Sequence, residues 1–135
     1  MEGGCFCGAV RYEIQGALIR TTNCHCAHCR RTSGAPFLTW ITVDVGSFRI
    51  IGGAPSQYSS RPGVTRQCCP NCGTQLTYQL AEEPELIDVT ACSLDALEGI
   101  APEDNIWCDR MVPWLKLADG LPRYGLRRSD GPAKP

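Results

Sequence analysis

The segment NCHCAHCRRTSGA, residues 23–35, places three cysteines within six positions: Cys24, Cys26 and Cys29. In an extended chain, side chains two residues apart point to the same side, so a Cys-x-Cys pair can present both sulfurs to one ion. A Cys-x-x-Cys pair does the same around a tight turn, which is the usual spacing in zinc ribbons. The segment therefore predicts a metal site built on these three residues, which we call the three-cysteine cluster.

Two further cysteine pairs lie far apart in the chain: Cys5 with Cys7, and Cys69 with Cys72. The second pair flanks Pro and Asn and is followed by Gly, the residues that a tight turn requires. Structural zinc takes four ligands in a closed tetrahedron, whereas catalytic zinc usually takes three from the protein and keeps one position open. Seven thiolates thus predict two zinc ions per chain. The structural ion would be held by the four-cysteine cluster, which consists of Cys5, Cys7, Cys69 and Cys72, and the open ion by the three-cysteine cluster.

A fourth protein ligand would close the open site and make it purely structural. The candidates are Cys68, Cys92, Cys108, His25 and His28. His25 stands between two predicted ligands in an extended stretch, so its side chain should point away from the ion and take a hydrogen-bonding role. Cys92 and Cys108 are more typical of small buried apolar residues. Cys68 could replace Cys69, although Cys69 gives the better-attested Cys-x-x-Cys spacing.

Arg30 and Arg31 directly follow the three-cysteine cluster. Zinc with three thiolates carries one net negative charge, which makes it a poorer Lewis acid than zinc held by neutral histidines but leaves it soft enough for a fourth sulfur. The sequence therefore favours thiol binding or transfer over water activation. The two arginines are either candidates to bind the carboxylates of a thiol substrate or a solvated pair of charges.

The rest of the chain predicts a mainly β fold of short strands separated by Gly, Pro and Ser, with one or two short helices. The candidate strands are residues 9–15, 37–43, 47–51, 74–80 and 85–91. One helix is expected from Ser93 to Gly99 and a helical turn after Cys29. We expect one domain over residues 1–124 and a flexible tail over 125–135.

Length and composition restrict the class of protein further. The chain has 135 residues, is 43% hydrophobic and carries a formal net charge of −1, values that fit one globular domain and give no electrostatic footprint for nucleic acid or an anionic membrane. The N-terminus lacks the pattern of a signal peptide, and no stretch is long enough for a membrane span. Ten cysteines in such a chain are expected to stay reduced in the cytoplasm, which favours metal binding over disulfides.

Four segments together resemble the glutathione-dependent formaldehyde-activating enzyme family, which also includes centromere protein V. They are GGCFCGAVRYE at the start, NCHCAHCRRTSGA, CCPNCGTQL, and Trp114 followed by DGLPRY at 119–124. The resemblance runs from about Gly4 to Tyr124. The chain departs from the family pattern at Cys68, where an aromatic residue is common, and at Asn105, where a histidine is common.

The resemblance implies small β-sheets in a tent-like arrangement, a closed zinc in the four-cysteine cluster and a catalytic zinc in the three-cysteine cluster. It also implies a carbon–sulfur lyase that joins formaldehyde to glutathione as S-hydroxymethylglutathione, with glutathione as co-substrate. We therefore expect a zinc-dependent lyase or synthase acting on a thiol–aldehyde adduct, with a small-molecule thiol and an aldehyde as partners. The alternative is a non-enzymatic zinc module, either a glutathione carrier or a protein-interaction domain.

Overall fold

The computed structural model describes residues 1–133, so Lys134 and Pro135 of the predicted tail lie outside the described residues. Within that range the chain forms ten strands and a single α-helix, which confirms the predicted mainly β class. The elements are β1 (Glu2–Gly4), β2 (Arg11–Ile14), β3 (Arg20–Cys24), α1 (Ala27–Ser33), β4 (Leu38–Asp44), β5 (Phe48–Gly52), β6 (Ser56–Arg61), β7 (Val64–Cys68), β8 (Gln75–Leu80), β9 (Leu86–Thr90) and β10 (Asp104–Ile106). None of the helices in residues 1–133 is long and apolar enough to cross a membrane.

The chain divides into two compact units. Unit 1 comprises residues 1–20 and 41–100, and unit 2 comprises residues 21–40 and the described residues from 101 onward. In unit 1, β1, β2 and β5 form a small antiparallel sheet. In the same unit β9, β8, β7 and β6 follow one another as antiparallel neighbours. The strand β4, whose residues 41–44 belong to this unit, borders β9.

The hydrophobic core of unit 1 follows from the alternation in β2. Val10, Tyr12 and Ile14 are at most 1% exposed, whereas Arg11 and Glu13 between them are not buried. Ile41 and Val43 of β4, Leu76 of β8 and Val89 of β9 complete the same apolar cluster. The predicted half-buried strand is therefore confirmed. Cys5 and Cys69 belong to this core as well, so half of the four-cysteine cluster is embedded in it.

The predicted helix over Ser93–Gly99 is wrong. Only Ala91–Ser93 forms a short 3₁₀ turn, and Leu94 instead makes an isolated β-bridge to the first strand. The Ser93 hydroxyl, at the start of the predicted helix, hydrogen-bonds with the Tyr12 hydroxyl at 2.7 Å. Tertiary contacts with the sheet therefore take the place of the local helical pattern.

Unit 2 is built around β10, which pairs in parallel with β3 and places Ile106 opposite Cys24. The chain then folds back along β10: the amide of Tyr124 donates to the carbonyl of Asn105 at 2.8 Å, and the amide of Trp107 donates to the carbonyl of Leu126 at 2.9 Å. Trp107 adopts a left-handed conformation with φ of 59°, which is unusual for a bulky residue. This fold-back fixes the strand that runs beside the three-cysteine cluster.

Candidate metal centres

The four sulfurs of the four-cysteine cluster lie within 4.8 Å of one another. The Sγ atoms of Cys5 and Cys7 are 3.6 Å apart, and those of Cys7 and Cys69 are 3.8 Å apart. Two thiolates on a tetrahedral zinc, with Zn–S about 2.3 Å, are about 3.8 Å apart. The donor set and its spacing therefore fit one zinc ion.

Two short backbone turns bring these sulfurs together. In the first, the amide of Val10 donates to the Cys5 sulfur at 3.2 Å, and in the second, the amide of Gly73 donates to the carbonyl of Cys69 at 2.9 Å. Gly73 has a φ of 76°, the left-handed conformation that the sequence predicted for this turn. The Asn71 side chain also donates to the sulfur of Cys7 at 3.2 Å, a contact that sequence reasoning missed.

Hydrogen bonding also favours a thiolate at the exposed side of this cluster. The Thr74 hydroxyl lies 3.2 Å from the Cys72 sulfur. Hydrogen bonds from the side chain and backbone of Thr74 lower the pKa of Cys72 to about 5. A ligand that is already a thiolate near neutral pH releases no proton when it binds a metal, which favours metal uptake.

The three sulfurs of the three-cysteine cluster also lie within 4.8 Å of one another, and all three ligands belong to unit 2. Cys24 ends β3, and Cys26 is the N-cap of α1, where its sulfur accepts a hydrogen bond from the amide of Cys29 at 3.3 Å. The predicted helical turn is therefore present, and it begins before Cys29 rather than after it. Cys24 and Cys29 are buried and Cys26 is partly exposed.

The crowded thiols have unequal proton affinities. The Cys24 thiol, as a hydrogen-bond partner, lowers the pKa of Cys26, and the same bond raises the pKa of Cys24. Three sulfurs this close share protons, because three thiolates would repel one another at such a short distance. A divalent cation that replaces the shared protons removes this repulsion. The cluster is thus suited to a soft metal ion such as zinc.

No fourth Cys, His, Asp or Glu ligand atom joins the three-cysteine cluster within the described residues 1–133. The candidates Cys68, Cys92, Cys108, His25 and His28 all lie outside it. Cys92 and His28 are exposed, so the prediction that Cys92 is a small buried residue is wrong. Cys108 is partly exposed, and its thiol donates to the carbonyl of Asn105 at 3.5 Å.

His25 takes the hydrogen-bonding role that its position predicted. Its side chain is fully buried, its ring lies 5.0 Å from the ring of Phe37, and its Nε2 is 2.9 Å from Oδ1 of Asn105. Burial lowers the pKa of His25, so the imidazole is neutral near pH 7. Asn105 is also fully buried, and it bonds onward to Asp119 at 3.0 Å. Sequence reasoning missed the hydrogen-bond partner of the His25 ring, because Asn105 is 80 positions away along the chain.

Arg30 and Arg31 differ in how far they are exposed to solvent. Arg30 and Arg31 both lie in the last turn of α1, where positive charge suits the helix dipole. Arg31 is exposed, whereas Arg30 is partly buried. The Nε atom of Arg30 is buried and has no hydrogen-bond partner within the described residues. Arg30 therefore carries a buried donor that no residue of the described range satisfies.

Comparison with known proteins identifies a sequence family, curated relatives and a similar solved structure. A sequence model of the family described as glutathione-dependent formaldehyde-activating enzyme matches residues 1–110. A protein of Halomonas elongata, provisionally named a glutathione-dependent formaldehyde-activating enzyme, is 26% identical over 126 residues, covering 87% of this chain and 80% of its own length. An uncharacterised lyase of Schizosaccharomyces pombe is 24% identical over 111 residues, covering 80% of this chain and 78% of its own. A crystal structure of a Rhodobacter sphaeroides protein, a structural-genomics target, is similar with a TM-score of 0.61 and 28% identity over 76% of this chain and 92% of that one.

Proposed function

Since the chain belongs to the glutathione-dependent formaldehyde-activating enzyme family, we propose that it is a zinc-dependent carbon–sulfur lyase or synthase acting on a thiol–aldehyde adduct. One observation carries the proposal: the three-cysteine cluster offers three sulfurs, and residues 1–133 supply no fourth ligand atom beside them. Zinc in the four-cysteine cluster would be structural, and zinc in the three-cysteine cluster would be catalytic. The reduced thiols that both clusters need fit a cytoplasmic location, which stays a prediction.

The proposed reaction joins a thiol to an aldehyde. The sulfur forms a bond to the carbonyl carbon, the carbon–oxygen π bond breaks, and the thiol proton ends on the new hydroxyl oxygen, so no oxidant or reductant is needed. Zinc in the three-cysteine cluster would supply affinity for the substrate sulfur in its deprotonated form. The lyase direction reverses the same steps. Glutathione is the thiol that the family name suggests.

The residues of α1 would orient the substrate. Cys29 and Arg30 are neighbours on α1, so one short helix would hold both a substrate sulfur at the cluster and a substrate carboxylate at Arg30. Arg31 is exposed on the same helix. We propose Arg30 as the principal carboxylate-binding residue, and Arg31→Ala is the matched control for Arg30→Ala. Arg30→Ala should weaken glutathione binding more than Arg31→Ala does.

Cobalt substitution tests the proposed function directly, because thiolate-to-cobalt charge-transfer bands report the number of sulfurs on the metal. Glutathione added to the cobalt protein should intensify these bands, and S-methylglutathione, which has no ionisable thiol, should not. Equal responses to both compounds would contradict the proposal. Formation of the hydroxymethyl adduct, followed by NMR with formaldehyde, then separates an enzyme from a glutathione carrier: a carrier binds the thiol but does not change the rate of adduct formation or breakdown.

A further inference from the structure

Hydrogen-bonded polar side chains run from exposed Asp119 through buried Asn105 to buried His25, which lies between two cysteines of the three-cysteine cluster. We propose that Asp119 is a positioning residue of this cluster, acting through the Asn105 amide on the ring of His25. The inference depends on the proposed function in one respect, namely that the three-cysteine cluster holds a metal ion. The family model matches residues 1–110, and Asp119 follows them in the segment DGLPRY.

The first step is the orientation of the Asn105 amide. Its Nδ2 donates to Oδ2 of Asp119 at 3.0 Å. An ionised carboxylate only accepts hydrogen bonds, so the amide nitrogen must face Asp119 and the amide oxygen must face the other way. The Asn23 side chain donates to that same oxygen at 3.3 Å. The amide orientation is therefore determined by its partners.

The second step is the tautomer of His25. Because the oxygen of Asn105 can only accept, the Nε2 of His25 at 2.9 Å from it must carry the proton. Its Nδ1 is buried and has no hydrogen-bond partner within the described residues, as expected for the unprotonated nitrogen of a neutral ring. If Asp119 no longer accepted, the Asn105 amide could rotate and present its NH₂ group to the ring. The ring would then require the opposite tautomer.

The third step links the ring to the metal ligands. His25 is the residue between Cys24 and Cys26, and its amide donates to the carbonyl of Ile106 at 3.0 Å. Main chain and side chain of His25 are thus both bonded to β10, through Ile106 and Asn105. If the hydrogen bond between the His25 ring and Asn105 changes, the backbone between Cys24 and Cys26 shifts with the ring. Residues that orient metal ligands in this way affect metal affinity strongly.

Each carboxylate oxygen of Asp119 accepts a hydrogen bond, so a side chain with only one acceptor oxygen cannot make both bonds. Oδ2 accepts from Asn105, and Oδ1 accepts from the amide of Leu121 at 3.2 Å across a turn at Gly120, whose φ is 69°. An asparagine keeps the size of the side chain but has one acceptor oxygen. The Leu121 amide can only donate and retains that oxygen, so Asp119→Asn presents its NH₂ group to Asn105 and requires the Asn105 amide to rotate. The matched control is Asp130→Asn, since Asp130 is an exposed carboxylate of unit 2 that accepts from the amide of Arg127 at 3.0 Å.

The experiment observes the two histidines of the chain by ¹⁵N NMR of the zinc-loaded protein. Wild-type His25 should show a protonated Nε2 and an unprotonated Nδ1, with exposed His28 as the internal reference. In Asp119→Asn the His25 signals should shift towards the other tautomer. Metal should leave the three-cysteine cluster about 10- to 100-fold faster, measured with cobalt and a chelator. Asp130→Asn should match the wild type in both measurements.

Two results would overturn the inference. One is a wild-type His25 that is protonated on Nδ1. This result refutes the proposed tautomer and does not depend on whether the variant folds. The other is an Asp119→Asn protein whose His25 signals and metal dissociation equal those of the wild type. A wild-type three-cysteine cluster that takes up no metal would instead refute the proposed function. The NMR spectrum would then still show whether Asp119 sets the tautomer of His25 through Asn105.

Discussion

Trp40 donates its indole N–H to the sulfur of Cys29 at 3.4 Å, and both residues are buried, 3% and 4% exposed. A hydrogen bond to a thiolate stabilises its negative charge and lowers its tendency to donate electrons to a metal. Because bonds to charged groups contribute about 1.5–3 kcal/mol, this contact is large enough to tune the three-cysteine cluster. It also accounts for a buried tryptophan nitrogen that would otherwise need a partner in the core.

The first prediction follows from this bond. Trp40→Phe keeps an aromatic ring in place but removes the donor, so the cobalt charge-transfer bands should move to longer wavelength and metal affinity should fall by roughly tenfold. Absorption spectra and chelator competition measure the two effects. Trp114→Phe is the matched control, because Trp114 is 67% exposed. Spectra that shift equally in both variants would show that the hydrogen bond has no influence on the metal.

The second prediction is the metal content. Seven clustered thiolates divided into groups of four and three imply two zinc ions per chain, one in each compact unit. Protein purified without chelator and with ample zinc should approach two zinc ions per chain by elemental analysis. Cys26→Ser should reduce that value to about one, because it removes a ligand from the three-cysteine cluster alone. A reproducible value of one in the wild type would contradict a separate open site.

The third prediction separates the two clusters by stability. Cys72→Ser breaks the closed site, two of whose ligands belong to the hydrophobic core of unit 1, so it should lower the unfolding temperature sharply or prevent soluble expression. Structural zinc contributes on the order of 10 kcal/mol to folding in small zinc domains. Cys29→Ser should leave a folded protein that has lost its weaker zinc. Thermal unfolding measures both, and equal destabilisation would argue against the assignment of the open site.

The sequence predicted those features that depend on local pattern. Strands at β2, β4, β5, β8 and β9 were expected within two residues of their ends, because alternation and β-branched residues mark a half-buried strand. The two groups of cysteines were also predicted, since ligand spacing is local within each pair. The strand β10 has only three residues, Asp104–Ile106, and β3 reads Arg-Thr-Thr-Asn-Cys with little apolar character. Their pairing depends on partners distant in sequence.

The polar interior of unit 2 could not be predicted for the same reason. Asn23, Asn105 and Asp104 are of residue types that usually lie at the surface, yet each is at most 5% exposed. Buried polar groups require hydrogen-bond partners, and here the partners come from β3, β10 and the C-terminal segment. Only the fold brings these three segments together. The wrong helix at Ser93–Gly99 has a different cause. A local helical pattern is present there, but contacts with the sheet determine the structure.

The last prediction concerns the ion pair of unit 2 that joins Arg128 to Asp104. The Asp104 side chain is 7% exposed, and its carboxylate also accepts from the Thr22 hydroxyl. Arg128→Met removes the cation and leaves a buried charge whose remaining side-chain donor in residues 1–133 is the neutral Thr22 hydroxyl. This should cost about 1–3 kcal/mol, since the arginine is itself 29% exposed and partly screened.

Chemical denaturation of the zinc-loaded protein measures this cost, with Arg110→Met, an exposed arginine of the same unit, as the control. The double variant Asp104→Asn with Arg128→Met should recover part of the loss, because the uncompensated buried charge is then gone. The stability cost of Asp104→Asn alone is the reference for the double variant. If Asp104→Asn lowers the stability of Arg128→Met by that same full cost, the two side chains are energetically independent. The ion pair would then not hold the C-terminal segment to β10.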